Sequence, residues 1–538
     1  MTGQRLVCRT QMSGVVVKVA MQKRQITLVQ KALVASLLIA NISFGVAPAW
    51  AQNNIQLPTL GDSSELASAT ERRIGEAIAR QIYRDPAYLD DAVLSEYIQS
   101  LWQPLLDAAR ARGELSEELD QRFAWEIMIG RDREINAFAL PGGYLGVYLG
   151  LIGLVSNSDE LASVLAHELS HVTQRHISRL MTQQSRQAPL MLAAMVLGAL
   201  VLGRSPDAGS ALIVGGQAVA AQTQLNFSRD MEREADRVGF GVMTQAGYDP
   251  KAFVSMFEKL QQASRLNDNG SFPYLRSHPL TTERISDMQS RQMLDAPRNT
   301  PPKPPDFYQA MIAARARVLS RPGPDALRSW IADGNAVAAK EKELNYAAAG
   351  VLYAAALGAL QLREMDTARR LAGVLMQLSA GSPKPLRTAK MLAAEIEWAT
   401  GDTKAVAALI DADAPGRPEL IMGSQLRIRT GQAREAIARL QPWVSTHPRD
   451  AAAWQLLSSA YNTQGQTLRA LRAEAEVQVA RLDYSGALDR FKAAQDFVRQ
   501  PPPGSGPVDH IEASIIDART REVLAKLKEQ AKDEKEMQ

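Results

Sequence analysis

A 34-residue register in the C-terminal half limits what this chain can fold into. With Ala451 as position 1, Trp454, Leu457, Tyr461 and Ala470 fall at positions 4, 7, 11 and 20 of a helix-pair unit. One period earlier, Gly431, Ala436 and Pro448 fall at positions 15, 20 and 32, and Gly465 again takes position 15 in the next unit. Gly401-Asp402 marks a weaker unit. A helix pair of this kind cannot bury its apolar face alone, so neighbours stack into a solenoid. An irregular helical bundle is the competing architecture. The chain has 538 residues, more than a single core organises. The repeats are assigned to residues 306–500, and the Pro-rich stretch 299–305 reads as a linker that few contacts should cross. Residues 501–538 read as a Pro/Gly linker with a charged, frayed tail after Lys526.

The other end has a different character. Residues 1–51 hold six basic side chains and no acid, then the apolar run Ala32–Ala40, then Ala49-Trp50-Ala51, a small-x-small cleavage signal. This is the order of a secretory signal peptide, with an uncut N-terminal anchor as the alternative. A start at Met21 would give a leader of more ordinary length. Cleavage after Ala51 removes the single cysteine, Cys8, so the exported protein has no thiol and no lipid attachment at that site. The charge balance then changes from 61 basic and 58 acidic residues to 55 and 58, a net −3. The basic character is therefore partly a targeting feature, and nothing points to a nucleic-acid footprint.

Between these ends, residues 52–298 carry the chemistry. Residues 68–112 read as two helices broken near Asp85-Pro86. Phe123–Ile129, Ala137–Leu140 and Tyr144–Leu149 read as extended, with Pro141-Gly142-Gly143 as a turn. A helix is expected from Asp159 to about Gln184, capped by Ser156 or Ser158, and another from near Ser228 to Ala246. The apolar run Pro189–Gly203 is short of the roughly 20 residues that span a bilayer. With the small, apolar Ala211–Ala221 after it, it reads as a buried or membrane-touching helical hairpin, with plain core packing as the competing role.

The first of those helices contains His167-Glu168-Leu169-Ser170-His171. Residues four apart lie on one helical face, so both imidazoles can reach one zinc ion. Glu168 lies about 100° round the helix, where a carboxylate reaches a water without binding the metal, as a general base must. The chain has six histidines in all, which makes a chance match improbable. His176 also follows, but on a continuous helix it points about 140–180° away from the ligand pair, with Leu165, Leu169 and Val172. It is therefore assigned to packing or surface. A third ligand must come from elsewhere. In Glu232-Arg233-Glu234-Ala235-Asp236, Glu232 and Asp236 share a face, so one can bind metal while the other accepts a hydrogen bond from a ligand imidazole. A solvated charged face competes with that reading, and it is the reading that fits Glu234. His278 precedes Pro279 and is thereby pushed out of helical geometry onto a loop, where it could meet the metal, meet the substrate oxyanion, or do neither.

H-E-x-x-H followed by E-x-x-A-D resembles the M48 family of zinc metallopeptidases, and the leader, the Pro-Gly-Gly strand region and the repeats resemble its periplasmic branch. The resemblance covers Glu71 to Arg291 well, including Asn136 to Gly143 and His278-Pro279, and the repeats in architecture only. It implies a mainly α protein: a zincin-like α+β metallopeptidase domain with a small sheet, then an α-helical tetratricopeptide-repeat solenoid. It implies one Zn2+ held by His167, His171 and Glu232, Glu168 as base, Asp236 as the hydrogen-bond partner of a ligand, and Tyr144–Leu149 as the edge strand on which substrate pairs. It further implies unfolded or stalled outer-membrane proteins as substrates, the barrel-assembly machinery as a partner through the repeats, and a periplasmic location with peripheral membrane contact. Two rivals stand beside this zinc endopeptidase: a repeat-based chaperone with a regulatory zinc site, and a membrane-embedded quality-control protease.

Overall fold

Two glycines with left-handed backbone turn the chain at the heart of the catalytic half. The computed structural model describes residues 67–183, 228–266, 273–294, 306–340, 345–503 and 507–536. Helix α1 (Ser68–Arg84) lies across the turn Pro141–Gly143, where Gly142 and Gly143 have φ of 73° and 81°. A Cβ on Gly142 would sit 2.6 Å from the Arg72 Cα, so only glycine admits this approach.

The turn joins two strands of a four-stranded mixed sheet. Its strands are β1 (Tyr88–Leu89), β2 (Glu126–Gly130), β3 (Ala137–Leu140) and β4 (Tyr144–Tyr148), in the order β1-β2-β4-β3. β4 runs parallel to β2 (Ile127 opposite Leu145) and antiparallel to β3 (Ala139 opposite Leu145). All five β4 residues are buried. The expectation that Tyr144–Leu149 forms the edge strand is therefore corrected. β4 is an inner strand, Leu149 already begins α4 (Leu149–Leu154), and the edge on that side is β3. Hydrophobicity marks β4 as buried, but strand order is set by tertiary pairing and leaves no local trace.

β3 packs on α5 (Ser158–Thr173), whose residues from Asp159 onward are all buried. Its cap is neither serine expected for it but Asn157, whose side chain accepts the Glu160 N–H at 2.9 Å. The helix also stops earlier than its pattern suggests. Arg175 has φ 54°, and a new helix, α6 (His176–Gln183), starts after this break. The helix that carries Glu232, α7 (Arg229–Gln245), begins as read, with the Ser228 hydroxyl accepting the Met231 N–H.

Beyond α7, the chain reaches a long run of paired helices. In one pair, Ala451–Thr463 and Thr467–Ala480, the register residues Trp454, Leu457, Tyr461 and Ala470 are all buried. Gly401, Gly431 and Gly465 each take left-handed backbone (φ 85°, 82° and 68°) at the turn between paired helices. The end after Lys526, read as frayed, continues the helix His510–Glu536, and Leu527 packs against the core that Ile516 and Val523 share with Phe491.

The two halves share their cores. Leu94, Leu105 and Phe253 of the catalytic half belong to one apolar cluster with Ile312, Met391 and Met422 of the paired helices. Ile78 and Tyr144 belong to another with Phe491 and Ile516. Arginines of the paired helices meet acids of the catalytic half: Arg315 with Asp91 at 2.6 Å, Arg417 with Asp90 at 2.8 Å, Arg449 with Glu126 at 2.8 Å, and Arg387 with Glu96. The expectation of few contacts across the Pro-rich stretch does not hold, because proline content describes the connecting chain and not the surfaces on either side of it. The leader 1–51, the linker 299–305 and the apolar run Pro189–Gly203 lie outside the described residues. Among the described residues no helix is long and apolar enough to cross a membrane.

Arg315 is buried and also pairs with Glu395 at 2.9 Å. Arg315→Ala strands the buried Asp91 carboxylate and the partly buried Glu395 and should cost about 3–5 kcal/mol of stability, the usual scale for breaking a buried pair from one side. Chemical denaturation of the full chain checks this, and a change below about 1 kcal/mol contradicts the shared-core account.

Candidate metal centre

Helix α7 crosses close against α5, and the closeness comes from one residue. A Cβ added to Gly239 would lie 3.0 Å from the Ala166 carbonyl oxygen and 3.1 Å from the His167 nitrogen. Glycine here lets the two backbones approach until the side chains of one helix interleave with those of the other. Asp236 and Glu232, one and two turns earlier on α7, then face His167 and His171 on α5. The short helix α9 (Pro273–Ser277), which follows α8 (Lys251–Leu266), ends by delivering His278, whose N–H donates to the Tyr274 carbonyl at 2.8 Å. The Tyr274 ring packs 4.7 Å from the His278 ring.

The result is a group of four buried donors, His167, His171, Glu232 and His278, whose ligand atoms all lie within 4.8 Å of one another. His167 Nε2 is 3.0 Å from His171 Nε2 and 3.3 Å from His278 Nδ1. A Glu232 carboxylate oxygen is 3.0 Å from His278 Nδ1 and 3.5 Å from His171 Nε2. Zinc–nitrogen bonds of about 2.0–2.1 Å give a tetrahedron with edges of about 3.3 Å, so this spacing suits that ion. The chemistry of the donors agrees. Several lone pairs converge on one point, and protons alone cannot satisfy all of them.

The surrounding charges are arranged for that purpose. Asp236 Oδ1 sits 2.9 Å from His167 Nδ1, which leaves His167 Nε2 directed at the cluster. Arg284, on α10 (Thr282–Leu294), is buried and grips both acids of α7. Its Nε and one terminal nitrogen donate to Asp236 at 2.6 and 2.7 Å, and the other lies 2.7 Å from Glu232. Burial by itself would raise the Asp236 carboxyl, but Arg284 and His167 hold it below the usual carboxylate range. Burial likewise opposes ionisation of Glu232, and His278 and His167 outweigh it, so Glu232 is held well below that range. Burial and the neighbouring His167 keep His171 far below an ordinary histidine, hence neutral and able to donate a lone pair. His167 is the exception. Burial lowers it, but Asp236 and Glu232 lift its pKa to about 9. A bound cation takes the place of that proton.

Glu168 is fully buried beside the cluster, and neither carboxylate oxygen has a hydrogen-bond partner among the described residues. His278 Nε2 lies 3.4 Å away. A buried carboxylate with unused oxygens is costly unless something else occupies the space it faces. The residues present therefore fit a metal ion with a water beside Glu168.

Three participants were not read from the sequence. Arg284 lies 48 residues beyond Asp236, and its only local signal is its place just after His278-Pro279. His176 was assigned to packing or surface, but it is buried with its Nδ1 2.9 Å from His171 Nδ1. The assignment assumed one continuous helix, and the break at Arg175 turns His176 back towards the ligands. Burial, against the raising effect of Glu234, lowers the His176 pKa to about 4. Glu234, read as solvated, lies 3.1 Å from His176 Nε2 and 2.9 Å from Arg179.

If the approach at Gly239 sets the spacing of the ligands, Gly239→Ala should lower stability by about 1–3 kcal/mol, the range for overpacking. It should weaken metal retention in the same protein. Thermal unfolding and metal analysis test this, and wild-type values in both would show that the helices do not need the glycine.

The comparisons agree with this geometry. The model of peptidase family M48 matches residues 96–292. The β-barrel assembly-enhancing protease of Escherichia coli (strain K12) is 31% identical over 467 residues, 85% of this chain and 91% of that protein. The protease of the same name from Yersinia pestis is 30% identical over 457 residues, 82% and 89% of the two chains. A mitochondrial metalloendopeptidase, OMA1 of Saccharomyces cerevisiae, is 27% identical over 201 residues, 36% of this chain and 55% of that protein. With these matches covering most of its length and the metal site of His167, His171 and Glu232 in place, the chain belongs to the M48 family of metallopeptidases.

Proposed function

We propose that this metallopeptidase is a zinc-dependent endopeptidase of the cell envelope that degrades or assists misfolded or stalled outer-membrane proteins. The observation that carries the catalytic part is the buried four-donor cluster with the orphaned Glu168 carboxylate beside it. The envelope role rests on similarity to the β-barrel assembly-enhancing proteases along most of both chains, and on the leader in the sequence. Protein substrates and contact with the barrel-assembly machinery through the paired helices belong to the same reading, as does a periplasmic location.

Zinc, when bound, supplies a Lewis acid that polarises the scissile carbonyl and makes water easier to deprotonate. His167, His171 and Glu232 hold it. Asp236 fixes the His167 ring, and Arg284 fixes Asp236 and Glu232 together. Glu168 takes a proton from the attacking water and returns it to the leaving amine. The outer edge of β3 pairs with no strand among the described residues, and it offers backbone groups along which an extended substrate can align.

His278 keeps the protease latent. Its Nδ1 lies 3.3 Å from His167 Nε2 and 3.0 Å from Glu232, the place of a fourth ligand, which favours this role over oxyanion stabilisation. A zinc site that works by hydrolysis needs that position open. Withdrawal of the short α9 segment would open it.

Two variants test these roles. Glu168→Gln should keep its zinc and its fold but lose hydrolysis of casein by about 10²–10⁴-fold, the general-base range. Near-normal proteolysis by this variant would remove Glu168 from the mechanism. His278→Ala should retain zinc and raise the rate of casein hydrolysis. A fall of about 10²–10³-fold would instead assign His278 to the oxyanion.

A further inference from the structure

The two ligand histidines of α5 are supported differently. His167 Nδ1 meets a carboxylate directly, Asp236 at 2.9 Å. His171 Nδ1 meets another imidazole, His176 Nδ1, at 2.9 Å, with the two rings inclined at 75°. His171 turns its Nε2 to the cluster, so its Nδ1 carries the proton and donates it to the lone pair on His176 Nδ1. His176 must then carry its own proton on Nε2, which faces Glu234 Oε2 at 3.1 Å. Glu234 is anchored in turn by Arg179 at 2.9 Å. The donors and acceptors form one consistent chain, from Glu234 through His176 to His171 Nδ1.

The backbone is shaped to make this chain possible. On an unbroken helix His176 would point away from His171. The break comes at Arg175, whose left-handed φ of 54° is uncommon for a residue with a side chain. Its guanidinium Nε is held 2.9 Å from Glu71, a buried acid on α1. A left-handed turn fixed by a partly buried ion pair delivers one fully buried imidazole to the back of a metal ligand.

We propose that His176 and Glu234 are positioning residues, which lock His171 in the tautomer that presents Nε2 to the metal and strengthen it as a ligand through the Glu234 carboxylate. This rests on the reading of the cluster as a zinc site and adds a dedicated outer support for its second histidine. The role is distinct from packing. It needs an acceptor at the position of His176 Nδ1, whereas packing needs only volume.

Zinc affinity of the full exported chain, measured by competition with a chromogenic chelator, separates the two. His176→Phe keeps the volume and removes the acceptor, and should weaken zinc binding by about 10–100-fold, the usual cost of losing such a partner. His176→Asn loses volume but places an amide oxygen near the lost nitrogen, and should recover most of that affinity. Glu234→Ala should weaken binding in the wild-type background and add little to His176→Phe, since the two residues act through one chain. Wild-type affinity in His176→Phe, or no recovery in His176→Asn, overturns the proposal, as does a full further loss from Glu234→Ala in the His176→Phe background. Those results leave the metal site itself standing if His167→Ala still abolishes binding. A wild-type protein that holds no zinc overturns the metal-site reading and this inference with it.

Discussion

The close crossing of α7 on α5 sets everything else in this structure. It brings two acids against two imidazoles in a buried space, and buried charges survive there only when they are paired. Arg284 balances Asp236 and Glu232 together, and Asp236 takes the outer nitrogen of His167. What the protein leaves unbalanced is the centre, where imidazole and carboxylate lone pairs converge, and the Glu168 carboxylate beside it. The catalytic chemistry follows from that deliberate deficit. A cation would satisfy the centre, and a water would satisfy the carboxylate.

Such a site has to be held rigidly, because an error of about 1 Å in its spacing would break the fit. The rigidity comes from the whole molecule. α5 is buried from Asp159 onward. The paired helices complete the cores under both α2 (Ala92–Ala111) and the sheet, and a set of arginines ties them to acids on the catalytic half. The paired helices are thus part of what supports the site. The break at Arg175, clasped by Glu71 on α1, carries that support to the back of His171.

Much of the site was legible in the sequence where the relation between residues is local. His167 with His171 and Glu232 with Asp236 are each four apart, and helical geometry alone makes each pair share a face. The start of α7 at Ser228, the Pro-Gly-Gly turn and the glycines of the paired helices are likewise written in short stretches. What was missed depends on distant contacts. His176 is no ligand and is buried, but its direction was misread because nothing in residues 159–184 announces the break, which is stabilised by Glu71 about a hundred residues away. Glu234 was given to solvent because its partners lie on α6. β4 was taken for an edge because its place in the sheet depends on β2 and β3 together. The shared cores were invisible behind a linker whose composition suggested independence.

The central claim is that His167, His171, Glu232 and His278 together hold one zinc ion in the resting protein. X-ray absorption spectroscopy of the zinc-loaded wild-type chain tests it most directly. The account predicts one zinc per chain in a four-coordinate shell with three imidazole nitrogens and one oxygen at about 2.0–2.1 Å. A shell with only two imidazoles, or one dominated by water oxygens, would contradict it.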